Sequence, residues 1–279
     1  MLKINQYIKK HFYYVALATL IFVNSAYSKV IIWDLGDTLL EIDQLAMAGQ
    51  IGMGDLFFHS LFSWSSPIEI KDQVFKILNQ IKKPTNRQHH PTYNEQPLPE
   101  LICNWLEGSK DSQQISKEVN QFIDDPKNSK FFSSDRHKRI IKNSIEAMFN
   151  SKELAKNMKP IKSNIKLLEK CAKKNHKLFI LSNFDAKTFN CLKKSRRFKK
   201  VFQYFKPENI VISSDIGLLK PDPKIYDHII KKYNLDPKEC TFIDDQKDNL
   251  KAAEKAGIKT IFYKGTKQLE KELKSQKLI

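Results

Sequence analysis

Cysteine is scarce, and none of it has metal-ligand spacing. Cys103, Cys171, Cys191 and Cys240 lie far apart in a chain of 279 residues, and no Cys-x-x-Cys occurs. That excludes a zinc ribbon and a disulfide-dense miniprotein. In an exported protein four cysteines leave room for one or two disulfides, and the sequence does not choose among the pairings. Cys240 opens an apolar run and reads as a small buried hydrophobe. Long apolar runs are also missing. The stretch from Phe12 to Val23 is about a dozen residues, short of the roughly 20 that a membrane-spanning helix needs. Acidic side chains are outnumbered, 31 Asp and Glu against 48 Lys and Arg. No stacking aromatics or recognised motif accompany that basic charge, so it does not point to specific nucleic-acid binding. There is no internal repeat, and nothing resembles a collagenous or disordered composition.

What is present divides along the chain. Residues 1–28 have a basic head (Lys3, Lys9, Lys10), the short apolar run, and a polar tail with Ala26 and Ser28 placed for cleavage after Ser28. This is the layout of a signal peptide and predicts export to a periplasmic or secreted location. Uncleaved, the leader would be the one membrane attachment. The chain as a whole is 41% hydrophobic, enough for one substantial core and a smaller satellite. The formal charge of +17 falls to +14 without the leader's three lysines. Its densest cluster, Lys187, Lys193, Lys194, Arg196, Arg197, Lys199 and Lys200, reads first as a solvated helix face.

Short β-branched runs recur, each ending at a polar residue: Val30 to Trp33 at Asp34, Leu178 to Leu181 at Ser182, Ile210 to Ile212 at Ser213, Thr241 to Ile243 at Asp244, and Thr260 to Phe262 before Tyr263. Helical patterns separate the late runs. One is capped by Asp222-Pro223 with Ile225, Ile229, Ile230 and Tyr233 on a face, and another runs through Leu250, Ala253 and Ala256 to Gly257. This alternation predicts an α/β protein, a Rossmann-like doubly wound parallel sheet whose ligands sit beyond the carboxyl ends of the strands. Residues 46–159 break the rhythm and read as a mostly helical insertion, with Lys83 to Pro99 a long polar loop and Pro160 marking the return. The expected division is therefore a 1–28 leader, a core of 29–45 and 160–279, and a helical cap of 46–159.

The polar residues at the strand ends suit phosphoryl transfer. A carboxylate such as Asp34 can attack phosphorus and split one displacement into two. Thr38, Ser182 and Asn183 can hold phosphate oxygens, and Lys220 can place a positive charge beside nucleophile and phosphate. Asp244 and Asp245 add two carboxylates, and converging carboxylates repel one another unless a hard cation such as Mg²⁺ sits among them. These residues carry a resemblance to the haloacid dehalogenase superfamily. Asp34-Leu35-Gly36-Asp37-Thr38-Leu39 resembles its first motif, Leu181-Ser182-Asn183 its second and Lys220-Pro221 its third. Ile243-Asp244-Asp245, continuing through Asn249-Leu250 to Ala256-Gly257, resembles its fourth. The resemblance covers about residues 29–45 and 160–265. It implies Mg²⁺-dependent hydrolysis of a small phosphate monoester through an aspartyl phosphate on Asp34. By that likeness Asp34, Asp244, Asp245, Asn249 and the Gly36 carbonyl serve the metal, and the insertion is a substrate-selecting cap.

One departure stands out. The family's phosphatases usually carry an acid two residues after the nucleophile, and here that position is Gly36 with Asp37 next to it. General acid–base help is worth roughly 10²–10⁴-fold. Three explanations stay open: Asp37 substitutes, although a one-residue step turns a side chain to the other face of an extended strand; a cap residue or a water serves; or the enzyme is slow and best with good leaving groups. Two rivals follow. A haloacid dehalogenase would displace halide with Asp34 and need neither the second acid nor Mg²⁺, and a catalytically weak relative would act as an envelope-associated binding protein through its basic surface. Trp33, Trp64 and Trp105 read as packing residues, Asp248 as a solvated helix start, Gly108 as a helix C-cap, and His89-His90 as an ordinary loop pair.

Overall fold

The computed structural model describes residues 28–43, 67–93 and 95–279. The leader, the first part of the insertion and Trp64 therefore lie outside the described residues. Nine strands and the helices used below follow in chain order: β1 (Val30–Trp33), β2 (Leu40–Ile42), α1 (Pro67–Ile81), β3 (Thr92–Tyr93), β4 (Gln96–Pro97), α2 (Glu100–Leu106), α3 (Ser112–Asp124), α4 (Asp135–Phe149), α5 (Ser151–Lys156), β5 (Met158–Pro160), α6 (Lys162–Lys173), β6 (Lys177–Ser182), α7 (Ala186–Lys194), β7 (Ile210–Ile212), α8 (Pro223–Tyr233), β8 (Cys240–Asp244), α9 (Lys247–Lys255), β9 (Lys259–Phe262) and α10 (Thr266–Ser275).

Five strands form one parallel sheet in the order β7-β6-β1-β8-β9. The sheet is buried on both faces, which is why its strands read as continuous apolar runs rather than alternating ones. Successive side chains still point to opposite sides. Ile31, Trp33, Leu178, Ile180 and Ile243 pack on one side, and Val30, Ile32, Phe179, Leu181 and Phe242 on the other. After β1 the chain builds outward through β6 and β7, then crosses back to build β8 and β9 on the other side. The reversal opens a crevice at the carboxyl ends of β1 and β8.

Local signals place the helices as the sequence suggests. Asp222 caps α8 by accepting from the Lys224 amide, with Pro223 at the first helical position. Gly257, at φ +83°, follows α9 in the left-handed conformation that ends many helices. The helices between residues 67 and 156 close around a separate cluster that includes Val74, Leu78, Leu101, Trp105, Ile115, Val119, Ile145 and Phe149. Trp33 and Trp105 are packing residues, 0% and 6% exposed.

Several expectations need correcting. Residues 83–99 are not loop throughout, because Thr92–Tyr93 and Gln96–Pro97 pair as an antiparallel hairpin. Short strands β2 and β5 also pair, Leu40 opposite Pro160 and Ile42 opposite Met158, and tie the turn after β1 to the end of the helical insertion. Segments of two or three residues are too short to show a period, so the sequence did not reveal them. Helix α2 ends at Leu106 with Glu107 as its C-cap, and Gly108 lies just beyond, at φ +78°. All four cysteines are free thiols, with Cys103, Cys171 and Cys240 buried.

Candidate active site

Asp34 is the residue at which β1 stops. Its amide still bonds the Ile243 carbonyl at 3.0 Å, so the strand's register carries the side chain to the rim alongside Asp244, which ends β8. The chain then turns sharply, the Leu39 and Leu40 amides both closing on the Leu35 carbonyl at 2.9 and 2.8 Å. Asp37 occupies that turn at φ +49°, a left-handed conformation that Asp tolerates better than most residues. One carboxylate oxygen each from Asp34, Asp244 and Asp245 lies within 4.8 Å of the others.

Lys220 reaches this cluster from the loop before α8. Its Nζ donates to Asp34 Oδ1 and to Asp244 Oδ2, both at 2.7 Å, and the side chain is 2% exposed. Asn183 fixes the lysine's backbone from both sides: its Oδ1 accepts from the Lys220 amide and its Nδ2 donates to the Lys220 carbonyl, each at 2.8 Å. Ser182, buried at the end of β6, hydrogen-bonds the Asp34 carboxylate. Of the predicted second motif, Ser182 therefore faces Asp34, while Asn183 holds the Lys220 backbone.

Asp244 is heavily engaged. Besides Lys220 it accepts from the Gln246 amide at 2.7 Å and from Asn249 Nδ2 at 3.0 and 3.1 Å. Asn249, expected among the metal residues, thus spends its amide nitrogen on orienting Asp244, and Tyr226 secures the Asn249 carbonyl at 2.7 Å. Asp245 is bound by the side-chain amide of Gln246 and is less buried than its neighbour.

Charge dominates the chemistry here. Three carboxylates share one ammonium, so the fully ionised cluster carries two uncompensated negative charges in a nearly dry crevice. Burial raises the Asp34 pKa, against the lowering effect of Lys220, and Asp244 raises it further. Burial likewise raises Asp245, with Asp34 and Asp244 adding to the effect. For Lys220 burial pulls the other way, but Asp244 and Asp34 more than offset it and hold the ammonium charged. Thr38 completes the picture. Its hydroxyl, in the turn that follows Asp34, is buried without a hydrogen-bond partner within the protein. An orphaned hydroxyl costs about 1–3 kcal/mol unless a bound group satisfies it.

At Gly36 a Cβ would meet nothing within 4 Å, and the residue is not in the left-handed region. Neither space nor backbone requires glycine there. Asp37 is exposed at the mouth and accepts from the Tyr93 hydroxyl at 3.3 Å, with burial by its surroundings raising its pKa. Tyr93 was not singled out from sequence. It belongs to the β3–β4 hairpin, which touches the rim again where Thr92 donates to Asp248 at 3.1 Å and Lys247 bonds Glu95. Asp248 is accordingly more than a solvated helix start. The available signal was two β-forming pairs, Thr-Tyr and Gln-Pro, flanking Asn94-Glu95.

A doubly wound parallel sheet with three carboxylates and one buried lysine gathered at its switch point defines an α/β protein with a charged site at the carboxyl ends of its strands. Residues 94–263 match the profile of the haloacid dehalogenase-like hydrolases, and the chain belongs to that family. The match takes in Ser182, Lys220 and Asp244-Asp245 but begins beyond Asp34, which is joined to them by geometry. Curated relatives match short stretches. The chain is 33% identical to a glyceraldehyde 3-phosphate phosphatase of Pyrococcus furiosus over 67 residues, 24% of this chain and 28% of that one. It is 34% identical to the bifunctional epoxide hydrolase 2 of Rattus norvegicus over 64 residues, 23% of this chain and 12% of that one. The chain thus spans only a small part of the length of these relatives. Among solved structures, a HAD family enzyme of Bacteroides thetaiotaomicron, in complex with magnesium and inorganic phosphate, superposes with a TM-score of 0.51 at 18% identity, over 85% of this chain and 94% of that one. That likeness concerns the fold.

Proposed function

We propose that this hydrolase cleaves a small phosphate monoester with the help of Mg²⁺, Asp34 being the nucleophile. The observation that carries the reading is the convergence of Asp34, Asp244 and Asp245 within 4.8 Å around a single buried ammonium. Oxygen ligands of this kind suit a hard divalent ion, and the residues fit it. Asp34, Asp245 and the Gly36 carbonyl would hold it, with Asp244 kept in place by Lys220 and Asn249. When bound, the ion supplies charge neutralisation for the carboxylates and for the phosphate.

The chain's own residues do the rest. An Asp34 oxygen forms a bond to phosphorus as the ester oxygen–phosphorus bond breaks, and the departing oxygen takes a proton. Water then attacks the same phosphorus, loses a proton, and frees phosphate and the Asp34 carboxylate. Lys220 keeps Asp34 ionised and oriented, and the Thr38 and Ser182 hydroxyls would bind phosphate oxygens. With glycine at position 36, proton handling falls to Asp37 at the rim, held by Tyr93. Esters with weakly basic leaving groups depend least on that help and should be the best substrates.

A panel of phosphate esters assayed with Mg²⁺ and with EDTA, alongside Asp34→Asn, tests this. The expected result is metal-dependent phosphate release that the substitution abolishes. Halide release from a 2-haloacid that persists in EDTA would replace this reading with carbon–halogen hydrolysis.

A further inference from the structure

The excess positive charge of this protein is not at its active site. The loops leaving the carboxyl ends of the five parallel strands (residues 34–39, 183–187, 213–224, 244–249 and 263–267) hold eight acidic side chains against six basic ones. The opposite end of the sheet is different. There the strands begin and the helices that return from the rim finish. The segments closing on that edge, residues 28–30, 173–178, 193–210, 231–241, 254–260 and 274–279, hold eighteen lysines and arginines against four acids. Glu169 and Glu270, just outside these segments, pair with Lys173 and Lys274; with them counted the face still holds eighteen basic residues against six acids, most of the +14 that remains when the leader's three lysines are set aside from +17.

Several of these segments are tied together directly, and Arg197 at the far end of α7 donates to the Lys156 and Met158 carbonyls at 2.9 and 3.0 Å. The Ser28 hydroxyl donates to the Asn175 carbonyl at 3.0 Å, Asn209 Nδ2 donates to Leu178 O at 3.2 Å, and Thr241 Oγ1 meets Gln276 Oε1 at 3.4 Å. All the basic residues in them are exposed except Lys29, which is half-buried and paired with Glu239. The densest part, Lys193 to Lys200 at the far end of α7, has no acidic residue between Asp185 and Glu208. Helix dipoles account for a little of this. Each helix C-terminus offers about half a negative charge, so the five that end here offset about two or three of the excess charges. Steering of substrate does not account for it either, because α7 starts at the rim and runs away from it for nine residues, about 13 Å.

We infer that this face is a docking surface for an anionic phospholipid bilayer, holding the enzyme with its catalytic rim turned away from the membrane. Two observations select a bilayer over other polyanions. Ser28 lies on this face, so a leader retained ahead of it would join the protein at this end, and cleavage after it would leave the mature chain starting here, at the end last released from the membrane. The face also carries no exposed large apolar or aromatic side chain, such residues being Ile42 and Tyr93 elsewhere among those described. Bases would find nothing to stack on, whereas dispersed lysines suit laterally mobile headgroups.

The test is vesicle co-sedimentation of the full chain, comparing phosphatidylcholine vesicles with vesicles that also contain phosphatidylglycerol, at low and high salt. The comparison variant reverses four exposed charges, Lys193→Glu, Lys194→Glu, Lys199→Glu and Lys200→Glu. Both proteins carry the leader, so its apolar run and its three lysines contribute equally to both and cancel when the variant is compared with the wild type on the same vesicles. The wild type should prefer anionic vesicles, lose that preference at high salt, and fall about a hundredfold or more in partitioning when the charges are reversed. Circular dichroism and the melting temperature establish that the variant is folded, and a second variant on the same face, Lys231→Glu, Lys232→Glu and Lys238→Glu, keeps the test independent of any one segment. Equal binding to both vesicle types, or displacement from anionic vesicles by duplex DNA at equal phosphate, overturns the inference.

Discussion

Replacing Lys220 by Met removes the one ammonium from the carboxylate cluster while keeping much of the side chain's volume, and its cost can be worked from the contacts. At 2.7 Å and an effective dielectric constant near 20, each of its two ion pairs has a Coulomb attraction of about 6 kcal/mol. Most of that repays taking the ammonium out of water, since the side chain is 2% exposed. Removing one partner of a buried pair nevertheless leaves charge uncompensated and typically costs about 3–5 kcal/mol. For a chain of this size that is a loss of about 6–20 °C in melting temperature. The orphaned carboxylates can recover part of it by taking up protons, so the deficit should be smaller at pH 5 than at pH 8. Urea unfolding followed by the fluorescence of Trp33 and Trp105, both buried, measures the difference in free energy at each pH. A loss below about 1 kcal/mol at pH 8, or one that does not change with pH, would refute the picture of a dry cluster held by a single cation.

Three further outcomes follow from the same geometry. Asp34 and Asp245 have folded-state pKa values above the ordinary 3.8, so the stability tied to their protonation is complete at low pH and is lost as pH rises toward neutral. Mg²⁺ should counter that loss at pH 8 by about 2.7 kcal/mol when present at a hundred times its dissociation constant. Asp245→Asn should abolish the increment in thermal melts, whatever substrate is used. Gly36→Asp adds a carboxylate where a Cβ has free space, so turnover of esters with poor leaving groups should rise by about tenfold or more, with little change for activated aryl phosphates. In the helical layer, burial would raise the Glu100 pKa, but Arg87 and Thr85 hold it down to about 2. Its contribution is therefore full above the ordinary 4.5 and disappears as pH falls toward 2. Arg87→Met should cost about 2–4 kcal/mol at pH 7 and much less at pH 3 in chemical unfolding.

Much of the core was written in the residues themselves. Five short apolar runs, four of them closed by Asp or Ser, state a parallel sheet because only a doubly covered strand can be apolar on both faces. They also put Asp34, Ser182 and Asp244 at one edge, because parallel strands share a carboxyl end. The order of these residues along the chain, with Lys220-Pro221-Asp222-Pro223 before a capped helix, was enough to suggest a single site and its class of chemistry. Composition likewise gave the net charge, though not its place.

What the sequence left undecided was decided by packing between distant segments. Asn249 proved to hold Asp244 and Asn183 to hold Lys220, because hydrogen-bond partners depend on which side chains meet across strands rather than on their spacing. Tyr93 reaches Asp37 by way of a hairpin too short to show a period, fixed by contacts to Asp248 and Lys247. The basic residues are scattered from Lys29 to Lys277, and they form one face only because every strand begins, and every returning helix ends, on the same side of the sheet.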